Sequence, residues 1–394
     1  FGVYKLEPGI DIALPRKESK KGVGHKDFAT SFFPNLSIEE ASSRRDFTCN
    51  AIAIDPFSGE ILDAQGGVND ILNKTLRCVD ARKFADDPLR VLRAMRFAAV
   101  LKFRVDEKTK NLCQNIDLSN ISNSRIGEEW IKMLLQADQP SYGLRVAKEL
   151  KILEKLHPEI YNLIGLAQWK KYHPEGDVFE HTLQALDQAK NICQREKISK
   201  EHQIIILLSV LCHDFGKATT TKIEGEKITS YGHTQASIPL AITFLEKLNI
   251  PKKNIPIILQ LVKYHDALIG VDKISEKFVK KLSNAIKPAT IKELVLVMEA
   301  DYSGRGQLND QNIVNLEKIK ELTKMAVELD VFSGHLEKLI QGNDLINLGF
   351  KSSPFFKTIL NSVFKKQQEG TIKTKEEAIA FVLKNYKYLR DKNV

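Results

Sequence analysis

The sequence contains no stretch of about 20 uninterrupted apolar residues, so no segment reads as a membrane span. Its five cysteines (Cys49, Cys78, Cys113, Cys193 and Cys212) form no CxxC pair. That excludes a zinc knuckle and a disulfide framework, and points to reduced, buried thiols in a cytoplasmic protein. There is no fixed-period repeat, which excludes a solenoid, and no low-complexity segment. The opening stretch, FGVYKLEPGIDIALPRKE, lacks the apolar core of a signal peptide and reads as strand and loop. There is no initiator methionine before Phe1, which leads us to expect that the sequence starts inside a longer protein.

What is present is ordinary for a folded protein: 394 residues, 43% apolar and 28% charged. That length implies two to four packed units and a sizeable core. A net charge of +9 suits a polyanionic partner, RNA or DNA first, although a lysine-rich proteome would give the same excess.

Residues 1–62 alternate strand-like stretches (GVYKL, GIDIALP, NAIAIDP) with loops, and SGE marks a tight turn. The basic stretch RKESKKGVGHKDF (16–28) between them is expected to be mobile. From about residue 68 the pattern turns helical. ADDPLRVLRAMRFAAVLKF (85–103) has Asp87 as N-cap and Pro88 at the first helical position. SRIGEEWIKMLLQA (124–137) and PSYGLRVAKELKILEKL (140–156) each read as one amphipathic helix. Helices continue over 175–320, and the tail, 340–394, is helical and basic.

Two constellations carry chemistry. The first begins at SRRDFTCNAIAID (43–55). Adjacent arginines hold phosphates through forked donors, and Asp46 with Asn50 fits a turn or a ribose contact. A surface Arg–Asp pair with an Asx turn accounts for the stretch equally well. Downstream, Asp87, Arg90, Arg93 and Arg96 recur every three residues, neighbours about 60° apart around a helix. Asp87, Arg90 and Arg93 therefore share a face. A carboxylate beside a guanidinium makes an acceptor–donor pattern able to read a base edge. Asp87 as a mere cap, with solvated arginines, is compatible with the same pattern.

RRDFTCNAIAID, DAQGGVND (63–70), ADDPLRVLRAMRFAA (85–99) and SRIGEEW (124–130), in that order, resemble the successive motifs of the bacterial tRNA nucleotidyltransferase / poly(A) polymerase family, the class II CCA-adding enzymes. The resemblance implies that Arg44, Arg45, Asp46 and Asn50 contact ribose and triphosphate, with Arg45 foremost on phosphate. It implies that Asp87 and Arg90 select C or A, that Arg93 and Arg96 support the incoming nucleotide, and that DAQGGVND is a hinge. Of the family's metal carboxylates only the third is present, as Asp11; the Gly-Gly-x-Val-Arg-Asp turn and the Asp-x-Asp pair belong upstream of Phe1. One aspartate cannot hold the two Mg²⁺ ions of nucleotidyl transfer. The expectation is a fragment of an active enzyme; the alternative is a head that has lost transfer.

The second constellation spans 173–301. Six of the nine histidines (His173, His181, His202, His213, His233, His265) fall between 173 and 265. His213-Asp214 lies in HDFGK, placed in the last turn of an apolar helix that Gly216 ends. A lone histidine on an apolar face is usually a satisfied core residue; a set is harder to explain so. Mixed His and Asp donors suit Mn²⁺, Ni²⁺, Co²⁺ or Fe²⁺, and all-oxygen sites suit Mg²⁺. The region resembles the HD superfamily of metal-dependent phosphohydrolases. That implies His181, His213, Asp214 and Asp301 as primary ligands, Asp214 bridging two ions, and His233 and His265 on the second. Lys217 becomes a phosphate contact. Fused to such a head, the domain implies phosphatase, 2′-nucleotidase and 2′,3′-cyclic phosphodiesterase activities.

The expectation is thus a mainly α protein with a small α/β part. It divides into a partial nucleotidyltransferase palm (1–66), a helical neck (67–156), an all-helical HD domain (157–320) and a helical tail (321–394) that cradles tRNA. Its partners would be tRNA, CTP and ATP, with no membrane, as monomer or homodimer. A lone HD phosphohydrolase with a vestigial head, and a tRNA-binding module without turnover, are the rivals.

Overall fold

The computed structural model describes residues 3–6, 10–14, 16–20, 28–33, 35–170, 173–225, 227–306 and 310–391. The head is built from antiparallel pairs. Strand β1 (Val3–Leu6) pairs with β2 (Ile10–Ala13), with Lys5 opposite Asp11. Strand β3 (Arg16–Lys20) pairs with β4 (Phe28–Phe32). The start of the basic stretch expected to be mobile is therefore strand, held by its ladder; residues 21–27 lie outside the described residues. Strands β5 (Ala53–Ile54) and β6 (Ile61–Leu62) close over the expected SGE turn. There Asp55 accepts from the Phe57 and Ser58 N–H groups, and Gly59 takes a left-handed φ of 74°. A short parallel pair, β7 (Thr75–Leu76) with β8 (Arg104–Val105), lies within the neck expected to be helical and was not legible in the sequence.

Helix α1 (Leu89–Leu101) begins one residue later than expected: Pro88, in helical geometry, takes the cap position, and Asp87 Oδ1 accepts from the Leu89 N–H at 3.2 Å. Its apolar stripe, with Leu92, Met95 and Ala99, packs on α2 (Asn123–Gln136) and α3 (Pro140–Glu149). The single helix expected over 140–156 is broken: Lys151 has a φ of 59° and a second helix runs Ile152–Leu156. Leu150, Ile152 and Leu153 are all fully buried. A continuous helix would point Leu150 and Ile152 about 160° apart; the left-handed residue lets both reach the core.

The expected division into four units meets two cores. One core runs without a break from Phe47 to Val331, so neck and HD region share it. The second, from Ile340 to Leu389, belongs to the tail. Helix Asp310–Glu328 crosses the expected boundary at 320/321, and its Ile319, Leu322 and Ala326 lie in the first core. The packing division therefore falls between Val331 and Ile340. Neck and HD region are also joined by polar clamps onto α4 (Val178–Arg195): Arg145 grips Glu180 through two bonds of 2.7 and 2.6 Å. Lys190 caps the end of α2 by donating to the Leu134 and Leu135 carbonyls at 3.1 and 2.6 Å.

Candidate metal centre and nucleotide face

Each donor of the HD region sits at a helix end. Asp177 caps α4 by accepting from the Glu180 N–H, which places His181 in the first turn. Helix α5 (Lys200–Cys212) is buried along its apolar run and delivers His213 and Asp214 directly after it. Gly216 does not end this helix as expected: the helix stops at Cys212, and Gly216 has an ordinary φ of −66°. It is glycine because a Cβ there would lie 2.1 Å from the His233 carbonyl oxygen. Its N–H donates to Ser237 Oγ, and that hydroxyl bonds the His213 and His233 carbonyls. This close approach docks α6 (His233–Lys247) against HDFGK. Helix α7 (Ile255–Tyr264) ends on His265-Asp266, and α8 (Ile291–Ser303), started by a Thr290/Glu293 capping box, carries Asp301 in its last turn.

These ends converge. His181 Nε2 lies 3.0 Å from Asp301 Oδ1 and 3.3 Å from His213 Nε2. His233 Nε2 lies 3.2 Å from Asp266 Oδ2 and 3.4 Å from His265 Nε2. Asp214 stands between the two groups: Oδ2 is 3.1 Å from His213 Nε2, and Oδ1 is 3.4 Å from His233 Nε2. Asp214 Oδ1 is buried and has no hydrogen-bond partner.

The donor set fits divalent cations. Every one of the four rings has its Nδ1 on an oxygen: His181 on Glu175, His213 on the Val210 carbonyl, His233 on Ser230, His265 on Val262. Nδ1 must then carry the proton, and the four Nε2 lone pairs face inward toward one another and toward carboxylates. Nitrogen lone pairs 3.3–3.4 Å apart repel unless a cation lies between them. That spacing is the edge of a coordination polyhedron with metal–nitrogen bonds of about 2.1 Å. The electrostatics agree. Burial pushes the His213 imidazole down, but Asp214 and Asp301 outweigh it and raise it. Burial likewise opposes ionisation of Asp214, yet His213 and Lys217 hold it well below the carboxylate range. Asp266 is brought to about 2 against burial by His265 and His233. The pocket demands positive charge.

The structure brings together all six expected donors (His181, His213, Asp214, His233, His265 and Asp301) and adds Asp266. Lys217, expected on phosphate, is buried with Nζ 2.7 Å from Asp214 Oδ2 and 2.8 Å from Gln168 Oε1. Arg305 grips Asp301 Oδ2 at 2.8 Å. Glu175, Gln168 and Arg305 were missed by the sequence reading; only for Arg305 was there a local signal, in DYSGR (301–305), which places it one helical turn beyond Asp301.

In the head and neck, α1 meets the RRD stretch. Arg93 bonds Asp46 Oδ2 at 2.6 Å, and Asp46 Oδ1 accepts from Asn50 at 3.2 Å, so the pair does form a turn. Arg90 donates to the Lys83 and Arg44 carbonyls at 2.9 and 2.7 Å. Asp87 is held by Arg125, another residue missed in the sequence, at 2.8 Å. Arg45 is exposed beside them. Arg96 does not join this face. It is buried, ion-paired to Glu129 at 2.5 Å, and stacked 3.9 Å over the Phe97 ring. Asp11 lies on β2, and its side chain is outside what is described.

An arginine-rich face on a helical neck is thus followed by a buried pocket of histidine and carboxylate donors able to hold divalent cations. Residues 3–77 match the Poly A polymerase head domain, 102–163 the probable RNA and SrmB-binding site of polymerase A, and 178–305 the HD domain. The chain belongs to the family of the multifunctional CCA proteins. It is 32% identical to the Multifunctional CCA protein of Mannheimia succiniciproducens, over 82% of this chain and 77% of the relative. It is 32% identical to that of Pasteurella multocida, over 86% and 79%. Its fold matches that of an apo CCA-adding enzyme at 20% identity, with a TM-score of 0.57 over 96% of this chain and 78% of the other. The helical bulk and small paired strands agree with the mainly α architecture expected. No helix among the described residues is long and apolar enough to cross a membrane.

Proposed function

We propose that this chain adds and repairs the 3′-terminal CCA of tRNA from CTP and ATP, and hydrolyses phosphate esters at the HD pocket. One observation carries the proposal: in a chain 32% identical to a Multifunctional CCA protein, four inward Nε2 atoms meet the carboxylates of Asp214, Asp266 and Asp301.

At the head, Arg44, Arg45, Asp46 and Asn50 hold ribose and triphosphate. Asp87 and Arg90 offer the acceptor–donor pair for the base, exchanging their present bonds to Arg125 and to backbone carbonyls for bonds to the nucleotide. Arg93 supports them through Asp46, and Arg96 through the interior. Asp11 belongs to the Mg²⁺ site. The basic tail meets tRNA phosphates.

At the HD pocket, His181, His213 and Asp301 would hold one divalent ion, His233 and His265 with Asp266 a second, and Asp214 both. Ni²⁺, Mn²⁺, Co²⁺ and Fe²⁺ suit this nitrogen-rich set, with Mg²⁺ the weaker match. Such ions supply Lewis acidity toward a phosphoryl oxygen and acidify water. The chain's own part is to hold the four Nδ1 protons on oxygen acceptors and so aim the Nε2 atoms inward, to exclude bulk water by burial, and to hold Asp214 through Lys217.

The test has two arms. With a protein that carries the Asp-x-Asp pair beside Asp11, incubating tRNA that lacks CCA with labelled CTP, ATP and Mg²⁺ should label its 3′ end, and Asp87→Ala should alter the ratio of C to A. No incorporation removes the transferase reading and leaves a phosphohydrolase. Hydrolysis of 2′,3′-cyclic AMP should stop on chelation and in Asp214→Ala; persistence in both removes the metal reading.

A further inference from the structure

Behind His181 lies a carboxylate outside the proposed ligand set. The Glu175 side chain is wholly buried. Its Oε1 accepts from His181 Nδ1 at 2.8 Å and from His173 Nδ1 at 2.9 Å, and Oε2 is buried without a hydrogen bond. A carboxylate buried this way is costly unless something needs its charge.

The surrounding chain is shaped to put it there. Gly176 has a φ of 133°, a backbone state that other residues rarely adopt. Gly306 faces Glu175 from the end of α8, where a Cβ would stand 3.4 Å from the Glu175 Cβ. The next residue but one, Asp177, is anchored on both sides, by Gly165 N–H at 2.6 Å and by Glu180 N–H at 2.8 Å. His173 packs edge-on to His181 with ring centres 5.0 Å apart.

The partner makes His181 unlike the other three rings. His213, His233 and His265 give their Nδ1 protons to neutral backbone carbonyls. His181 alone gives its proton to an anion. A carboxylate behind an imidazole fixes the tautomer, orients the ring and makes the far nitrogen a stronger donor.

We propose that Glu175 is a positioning residue: it locks His181 as the Nδ1–H tautomer and strengthens binding at the cation position His181 shares with His213 and Asp301, leaving the His233–His265–Asp266 position unaffected. The inference rests on the metal-dependent reading above.

The test is calorimetric titration of the chelator-treated full chain with Mn²⁺, beside long-range ¹H–¹⁵N correlation of its ¹⁵N-histidine rings. The wild type should bind two ions and show His181 as the Nδ1–H form. Glu175→Gln keeps the shape and one acceptor but loses the charge; it should weaken one ion roughly tenfold and leave the other within twofold. Glu175→Leu, with no acceptor, should weaken the same ion up to about a hundredfold and release the His181 tautomer. His233→Ala should weaken the opposite position. If the wild type binds no ion, the metal reading itself fails. If the wild type binds two and Glu175→Gln binds both within twofold with unchanged His181 resonances, the positioning role is overturned. Should Glu175→Leu not fold, Glu175→Gln decides alone.

Discussion

His181 and His213 face each other Nε2 to Nε2 across 3.3 Å, each with its Nδ1 already donating to an oxygen. Two lone pairs held so close call for a cation. Adding Ni²⁺ or Mn²⁺ should therefore raise the melting temperature. A ligand present at 100 times its Kd stabilises by about 2.7 kcal/mol. The rise should shrink in His181→Ala and in His213→Ala, leaving the part due to the His233–His265–Asp266 position, measured by differential scanning calorimetry with and without chelator.

Asp214 turns Oδ2 to His213 and Oδ1 to His233, so it faces both groups of donors. Asp214→Asn should weaken both ions at once, whereas His233→Ala weakens one. Hydrolysis of 2′,3′-cyclic AMP should fall by more than the 10–100-fold that loss of an outer partner costs, roughly. Initial rates at saturating metal, with ion stoichiometry by titration, check this.

Arg96 and Glu129 form a buried pair at 2.5 Å. Removing one partner strands the other charge. Arg96→Ala should cost about 3–5 kcal/mol, while Arg96→Met with Glu129→Leu should recover most of it. Urea unfolding measures both. If the folded double variant still binds CTP normally, Arg96 acts through the core and not on nucleotide.

Gly216 admits no side chain: a Cβ would sit 2.1 Å from the His233 carbonyl and 2.6 Å from the Ser237 nitrogen, both backbone atoms. Gly216→Ala must push α6 away, at a cost of about 1–3 kcal/mol. Because α6 carries His233, the His233–His265–Asp266 position should weaken and the other should not. Denaturation midpoints and Mn²⁺ titration separate the two effects.

His157 is buried against Trp130 and Phe244. Burial lowers its pKa, and Glu159 only partly restores it. The unfolded chain therefore takes up a proton near the ordinary imidazole value that the folded chain refuses. Stability is unaffected above that value and falls as pH drops below it. The contribution has a slope of at most about 1.4 kcal/mol per pH unit. His157→Gln should flatten this part of the profile between pH 7 and 5, read from denaturant midpoints at each pH.

Much of the fold was legible because its signals are local. Asp87-Pro88 marks the start of α1, and alternating apolar residues mark the hairpins. The misplaced features depend on packing. Lys151 breaks a helix because Leu150 and Ile152 must both reach the core. The arginine series shows where reading a pattern stops short. Each three-residue step drifts by about 60°, so Arg96 stands about 180° from Asp87. Carried to its end, that arithmetic would have put Arg96 in the core. Glu175 is different: nothing local separates a buried carboxylate behind His181 from a solvated one in a loop.

By itself the sequence determined which donors exist and in what order. It carries the histidine–aspartate set from His181 to Asp301 and the arginine-rich face at residues 44–93, because residue type and helical period are local properties. Only the tertiary structure decided how they act. Which imidazole nitrogen holds the proton depends on what lies behind each ring. Whether Asp214 serves one cation or two depends on α6 reaching HDFGK across Gly216. Whether an arginine meets a nucleotide or a buried glutamate depends on which neighbour its helix face packs against. These are contacts between segments dozens of residues apart, and no window of sequence contains both partners.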